Sequence, residues 1–417
     1  MLYQMVEYQR ALLAPWAACA AEVTNALIGP DSALAHFPGA QCMAAASGLL
    51  WTIAKAYPKP AFGVTSVNLD GRVIPVIEEV ALERPFCRLR HFFHDTVGNC
   101  VTTGPHERPV VLVCAPLAGH HAVLLHEVVE SLLLDHDVYL TDWNDARRVP
   151  VAEGPFHLDD DVLQLQAFIR HIGAHDLHVL AVCQATVPAL ATVSLLASAG
   201  ESPPKSLILM GGPIDARRSP TAIDRLATCH PLAWFQHNLI HPVPEQYPGA
   251  GRKVYPGFLQ HAGLVAAHPD RLVGRHWDYY VDLLRGDVDS ARAHQRDCDV
   301  YNAVLDIPAE FYLDTIQTVF QEFRLARGRW RVGDQLVRPQ DIHGTALLTI
   351  EGETDDISGR GQTHAAHDLC RGMAARYRRQ LTLRDCGHYD LFSGQHWRTE
   401  AYPAIHDLIR NHADAAR

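Results

Sequence analysis

The sequence predicts an α/β protein: a mostly parallel sheet with helices on both faces, carrying an inserted, mainly helical cap. Three observations predict it. From residue 109 onward, short apolar runs alternate with helical stretches of roughly ten to fifteen residues, the pattern of βαβ units. The alternation stops over 213–340 and then resumes, and about 125 residues is too long for an ordinary loop. One strand, Leu177–Val182, runs straight into a helix through a turn of small residues around Cys183.

Composition supports this class and excludes others. The 417 residues are 48% hydrophobic and 20% charged, with 28 Gly and 26 Pro. That balance excludes disordered, collagen-like and coiled-coil chains and leaves room for two to three folding units. The formal net charge of −11 provides no surplus of Lys and Arg, so nucleic acid is not an expected partner. Ten cysteines, among them Cys100, show no C-x-x-C spacing, and several sit inside apolar runs, as buried free thiols do. The opening MLYQMVEYQR lacks a basic region before an apolar stretch, and the run Ala11–Ala21 is too short to span a bilayer. The expectation is a cytoplasmic protein with reduced thiols, no signal peptide and no membrane span.

The elements follow in order. Residues 1–60 form an N-terminal helical extension ending at Pro58-Lys59-Pro60. The first part of the core, 61–212, opens with a strand pair, Val73–Leu82 and Phe86–His91, after the turn Asp70-Gly71. Pro109–Ala115 is a short, wholly apolar strand of the kind buried on both faces. Next come a helix at Val123–Leu134, a strand at Val138–Thr141, an amphipathic helix at Asp160–Ile172, the strand Leu177–Val182, a helix at Ala185–Ala199 and the strand Ser206–Met210. The cap, 213–340, shows no apolar strand but is rich in aromatics. The rest of the core, 341–417, holds the strand Ala346–Ile350, a helix at His364–Arg376, the strand Gln380–Arg384 and a last helix at Thr399–His412.

The turn Ala181-Val182-Cys183-Gln184-Ala185 has the shape of a nucleophile elbow, G-x-S-x-G, with Cys as nucleophile and Ala in place of Gly. Strand and helix backbones approach closely there, so the flanking side chains must be small. Pro188 falls in the helix's first turn, where a missing N–H costs nothing. The bland reading of Cys183 is a small buried hydrophobe. Two later loops weigh against it. Strand 346–350 is followed by Glu353, Asp355 and Asp356, and strand 380–384 by His388. That is the α/β-hydrolase order of nucleophile, acid, base, past the strand ends where such sheets carry chemistry. The expected triad is Cys183, Asp355 and His388, with Asp356 and Glu353 as competitors for the acid. A free thiol is only a few per cent ionised at neutral pH and needs His388 as base; the acid fixes its tautomer. The backbone N–H of Gln184 and that of Leu117 or Ala118 are the candidate oxyanion donors.

With these residues in view, the chain resembles the intracellular poly(3-hydroxybutyrate) depolymerases. The resemblance rests on AVCQATVPALA around Cys183, YLTDWNDARRVP at 139–150, YNAVLDIPAEFYLDTIQTVF at 301–320, EGETDDISG at 351–359 and GHYDLFSGQHW at 387–397. It implies an α/β-hydrolase fold, no cofactor, the same Cys-Asp-His triad, and polyester granules in the cytoplasm as partner and substrate. One departure is Asp390, a carboxylate two residues from His388 where Gly is expected; contact between them would raise the imidazole's pKa. Polyester synthases share the sheet and a Cys nucleophile, so acyl transfer is the rival activity, and a non-catalytic granule-coat protein is a third. Trp143, by its place after a strand, and the cap residues Trp234, Phe235, Trp277 and Tyr279 are candidates to line an apolar substrate channel. The many histidines do not assemble into a metal motif: His126 opens H-E-x-x-E, and His364 and His367 lack an evident third ligand. Self-association is left open.

Overall fold

The computed structural model describes residues 2–29, 32–95, 108–173, 177–267 and 269–414. Cys100 lies outside the described residues. Two helices come first, α1 (Leu2–Ile28) and α2 (Ala40–Ala54). Small residues, Ala17, Ala20, Ala44 and Ala45, are buried along these two helices, and Thr24 Oγ1 and Ser47 Oγ hydrogen-bond between them at 2.8 Å. Their other faces expose Met5, Tyr8, Leu12, Trp16, Leu50 and Ile53. Helix α1 continues through Pro15 and is long and apolar enough to cross a membrane by length and composition. The helix extends well beyond the run Ala11–Ala21 at both ends. Tyr3 fastens α1 to the cap, its hydroxyl donating to Asp306 Oδ2 at 2.6 Å and its ring lying against Phe258.

The sheet begins with a strand missed in the sequence, β1 (Ser66–Leu69), paired antiparallel with β2 (Arg72–Glu83). Asp70 (φ 49°) and Gly71 (φ 82°) make the turn between them, both in the left-handed region that such a two-residue hairpin requires. Strands β3 (Cys87–His94), β4 (Val110–Cys114), β5 (Asp137–Trp143), β6 (Leu177–Val182) and β7 (Ser206–Met210) follow. Between them lie the helices α3 (His126–Leu132), α4 (Leu158–Ile172) and α5 (Thr186–Ser198). Every residue of β6 is buried, as is α5 from Thr186 to Leu196. This explains why neither segment shows a polar face.

The segment after β7 contributes nothing to this sheet among the described residues. It holds α6 (Ala222–Cys229), α7 (Leu232–Leu239), the short strands β8 (His241–Pro242) and β9 (Lys253–Tyr255), and α8 (Gly257–Ala267). Then come α9 (Pro269–Arg285), α10 (Val288–Asn302), β10 (Ile307–Pro308), α11 (Ala309–Thr315) and a hairpin of β11 (Arg331–Val332) and β12 (Gln335–Leu336). The three strands β8, β9 and β10 form their own small sheet. The main sheet closes with β13 (Ala346–Gly352) and β14 (Arg378–Leu383), giving nine strands in the order β1-β2-β3-β5-β4-β6-β7-β13-β14. From β5 to β14 all pairs are parallel; β1, β2 and β3 run antiparallel along the other edge. Such a sheet, with helices between its parallel strands, has the α/β-hydrolase fold.

The predicted helix at 364–376 shrinks to Ala366–Leu369. Gly372 shows the cause: a Cβ there would lie 2.1 Å from the Gln340 carbonyl oxygen, so the chain turns tightly against the segment before β13. His364 Nδ1 and His367 Nε2 both meet the Thr349 hydroxyl, at 2.7 and 2.9 Å.

Candidate active site

Parallel pairing brings the ends of β6, β7 and β13 level. Val182 stands opposite Met210, and Met210 opposite Ile350. Immediately past β6, Cys183 has φ +54°, a left-handed conformation that costs a non-glycine residue about 1–3 kcal/mol and is held only by surrounding packing. Thr186 Oγ1 donates to the Cys183 carbonyl at 2.8 Å and ties the turn down. Gly212 completes the fit: a Cβ there would stand 1.8 Å from Thr186 Oγ1 and 2.4 Å from the Cys183 carbonyl oxygen. Ala181 and Ala185 are both buried, as the small-residue requirement predicts.

The acid and base meet beside this turn. Asp355 Oδ2 accepts from His388 Nδ1 at 2.8 Å, and both side chains are buried. The other carboxylate oxygen, Oδ1, accepts the backbone N–H groups of Ile357 and Ser358 at 2.8 Å each, which fixes the carboxylate's orientation. Of the competitors, Glu353 instead receives the Asp385 N–H at 3.4 Å, and it is Asp355, not Asp356, that meets the imidazole. Gly211 makes room for the pair: a Cβ on it would stand 3.3 Å from His388 Cε1 and 3.5 Å from Asp355 Oδ2, and its φ of +58° suits glycine. Sequence reasoning passed over Gly211 and Gly212, though a Gly-Gly pair ending a buried strand signals close backbone approach.

Burial opposes a charge on His388, but attraction to Cys183 and then Asp355, with hydrogen bonds to both, outweighs it. The imidazole pKa is raised to about 10. Asp390 is not the cause; its Oδ2 accepts the Gly387 N–H at 3.1 Å and so braces the loop carrying His388.

Cys183 and His388 open onto an apolar cavity of about 400 Å³ between the sheet and the cap. Gln184, Leu117 and Ala118 line it, as does Phe235 from α7. Four other expected lining residues do not. Trp143 is buried with its indole N–H donating to the Ala115 carbonyl at 2.8 Å and its ring against Phe156, so it packs under the site. Trp234 stacks on His230, a ring 4.2 Å away, instead of facing the cavity. Trp277 is 60% exposed and stacked on Tyr280, while Tyr279 is buried with Ala45 and Leu283 in a separate cluster under α2. Aliphatic and aromatic side chains that the sequence did not single out do line the cavity, among them Ile223, Leu226, Leu264, Ile307, Ile316 and Phe392.

Several solved structures are similar at low identity. A monoacylglycerol lipase from Paleococcus ferrophilus is 11% identical, covering 73% of this chain and 94% of that one with a TM-score of 0.44. The 2-hydroxy-6-oxo-6-phenylhexa-2,4-dienoate hydrolase of Rhodococcus sp. strain RHA1 is 12% identical, covering 82% and 99% with a TM-score of 0.41. DcsB, solved with its substrate analogue, is 14% identical, covering 81% and 99% with a TM-score of 0.45. No curated protein matches the sequence. Residues 211–413, which hold the cap, Asp355 and His388, match the family model described as PHB de-polymerase C-terminus. That match, over just under half of the chain, supports the PHB depolymerase family and with it a carboxylic ester hydrolase.

Proposed function

We propose that the protein hydrolyses the ester bonds of amorphous poly(3-hydroxybutyrate), releasing 3-hydroxybutyrate oligomers or monomers, at storage granules in the cytoplasm. The observation that carries the reading is a thiol held at positive φ beside a buried imidazole–carboxylate pair at the floor of an apolar cavity. His388 Nε2 takes the Cys183 proton as sulfur attacks the ester carbonyl. The resulting oxyanion faces the N–H of Gln184 and that of Leu117 or Ala118. Collapse breaks the C–O bond, His388 returns the proton to the leaving alkoxide, and an acyl-Cys183 thioester remains. Water then attacks the thioester with His388 as base, releasing the carboxylic acid and the thiol. Asp355 holds the imidazole tautomer and stabilises the imidazolium.

A concave cavity between sheet and cap favours mobile chains that can enter it over chains fixed in a lattice. The test measures acid release from amorphous granules and from crystalline, solvent-extracted polymer at matched surface area. Release from amorphous polymer alone supports the reading; equal rates contradict it. Chain elongation from a 3-hydroxyacyl thioester, without net acid release, would favour the synthase alternative. Unchanged polymer turnover by Cys183→Ala would remove the catalytic role altogether.

A further inference from the structure

Several polar groups that line the catalytic cavity already have partners. Thr315 Oγ1 donates to the Phe311 carbonyl at 2.8 Å, and Gln260 Nε2 donates to those of Tyr255 and Leu305 at 2.9 and 3.1 Å. Others have a buried atom without one among the described residues: His121 at Nδ1, and the Gln184 and Ser358 side chains. The Gln184 carboxamide, on a residue only 7% exposed, has neither Nε2 nor Oε1 hydrogen-bonded among the described residues. Ser358 Oγ, on a residue 4% exposed, is in the same condition. Each such group costs about 1–3 kcal/mol unless something satisfies it. In a lining that is largely apolar, a ligand's polar group can satisfy them.

Position says which part of the ligand. Gln184 follows the nucleophile directly, and neighbouring Cα atoms are about 3.8 Å apart, so its carboxamide is within reach of atoms a few bonds from the carbon joined to sulfur. Ser358 lies three residues past Asp355, on the loop whose N–H groups that carboxylate accepts. We propose that Gln184 and Ser358 form a polar subsite for an oxygen at the β-carbon of the acyl group, so that the cavity selects 3-hydroxyacyl and 3-acyloxyacyl esters over unsubstituted ones. The proposal rests on the ester-hydrolase reading. A carboxamide both donates and accepts, so it suits a free hydroxyl at a chain end and an ester oxygen within the chain. A purely apolar pocket would not reject an unsubstituted fatty ester, whereas unpaired Gln184 and Ser358 groups penalise it.

The test compares kcat/KM for methyl 3-hydroxybutanoate with that for methyl 3-methylbutanoate, in which a methyl replaces the hydroxyl at similar size. The expected preference of the native protein is about 100-fold for the hydroxy ester. Gln184→Leu should cut that ratio about tenfold, and Ser358→Ala, which deletes a single oxygen and keeps the fold, should reduce it in the same direction. Because the readout is a ratio, a general loss of rate from disturbing the turn does not mimic the effect. A native ratio near one, with both esters hydrolysed through Cys183, overturns the subsite and leaves the hydrolase reading standing. So does an unchanged ratio in both variants. Hydrolysis of neither ester overturns both.

Discussion

Replacing Asp355 by Asn should abolish catalysis while leaving the fold in place. The reason lies in how its two oxygens are used. Oδ1 accepts two backbone N–H groups at 2.8 Å, and Oδ2 faces His388 Nδ1 at 2.8 Å. Asn can keep an oxygen toward the two amides, and its NH₂ then points at the imidazole. A donor there forces Nδ1 to accept, so the ring carries its proton on Nε2 and presents N–H, not a lone pair, to the Cys183 thiol. The base is blocked. A comparable exchange in a triad costs about 10⁴-fold in kcat, or about 5 kcal/mol of transition-state stabilisation. Stability should change little, since both backbone N–H groups keep an acceptor. Asp355→Ala should be equally inactive and also less stable, because it strands two N–H groups at about 1–3 kcal/mol each. Initial rates on methyl 3-hydroxybutanoate, with urea midpoints for each variant, separate these effects. An Asp355→Asn enzyme within about tenfold of the native rate, or a larger loss from Asp356→Asn, would refute the assignment.

Gly212→Ala should disturb the nucleophile turn from outside the triad: its methyl would collide with Thr186 and the Cys183 carbonyl, lowering activity and destabilising the fold by about 1–3 kcal/mol. An active, fully stable variant would mean that the turn is not so tightly held. Asp161, fully buried on α4 with Oδ1 unpartnered among the described residues, has its pKa pushed up to about 8 by burial. The unfolded chain releases that proton near pH 4, so the folded state's stability relative to it falls as pH rises from 4 to 8. The stability gain of Asp161→Asn over the native protein should therefore grow across that window and level off above it; a pH-independent difference would contradict the burial argument.

The sequence was most legible where one residue type serves one geometry. An apolar strand that ends in Ala-Val-Cys-Gln-Ala and runs into a helix admits few conformations, and Cys183 takes the strained one such a turn needs. The parallel strands were legible because burial on both faces leaves an unbroken apolar run, as in β4, β6 and β7. The cap was not. Aromatics such as Trp234 and Tyr279 fit a substrate channel and a packed helix interface equally well, and only tertiary contacts decide between them. Trp143 sits at the strand end where ligands bind, yet one hydrogen bond to Ala115 turns its ring into the core. Helix α1 was legible as helix, but the apolar run Ala11–Ala21 understated its length, which continues through Pro15 and past Glu22. The collapse of the 364–376 helix depends on Gly372 meeting Gln340, a contact 32 positions away that no local pattern reports.

The central claim is a covalent acyl group on Cys183 during ester cleavage, and rapid acid quench followed by peptide mass spectrometry tests it most directly. With methyl 3-hydroxybutanoate in excess, the peptide containing Cys183 should carry a 3-hydroxybutyryl thioester that hydroxylamine removes, and Cys183→Ala should neither carry it nor turn over. Turnover persisting in Cys183→Ala, or an acyl adduct found on a different residue, would contradict the account.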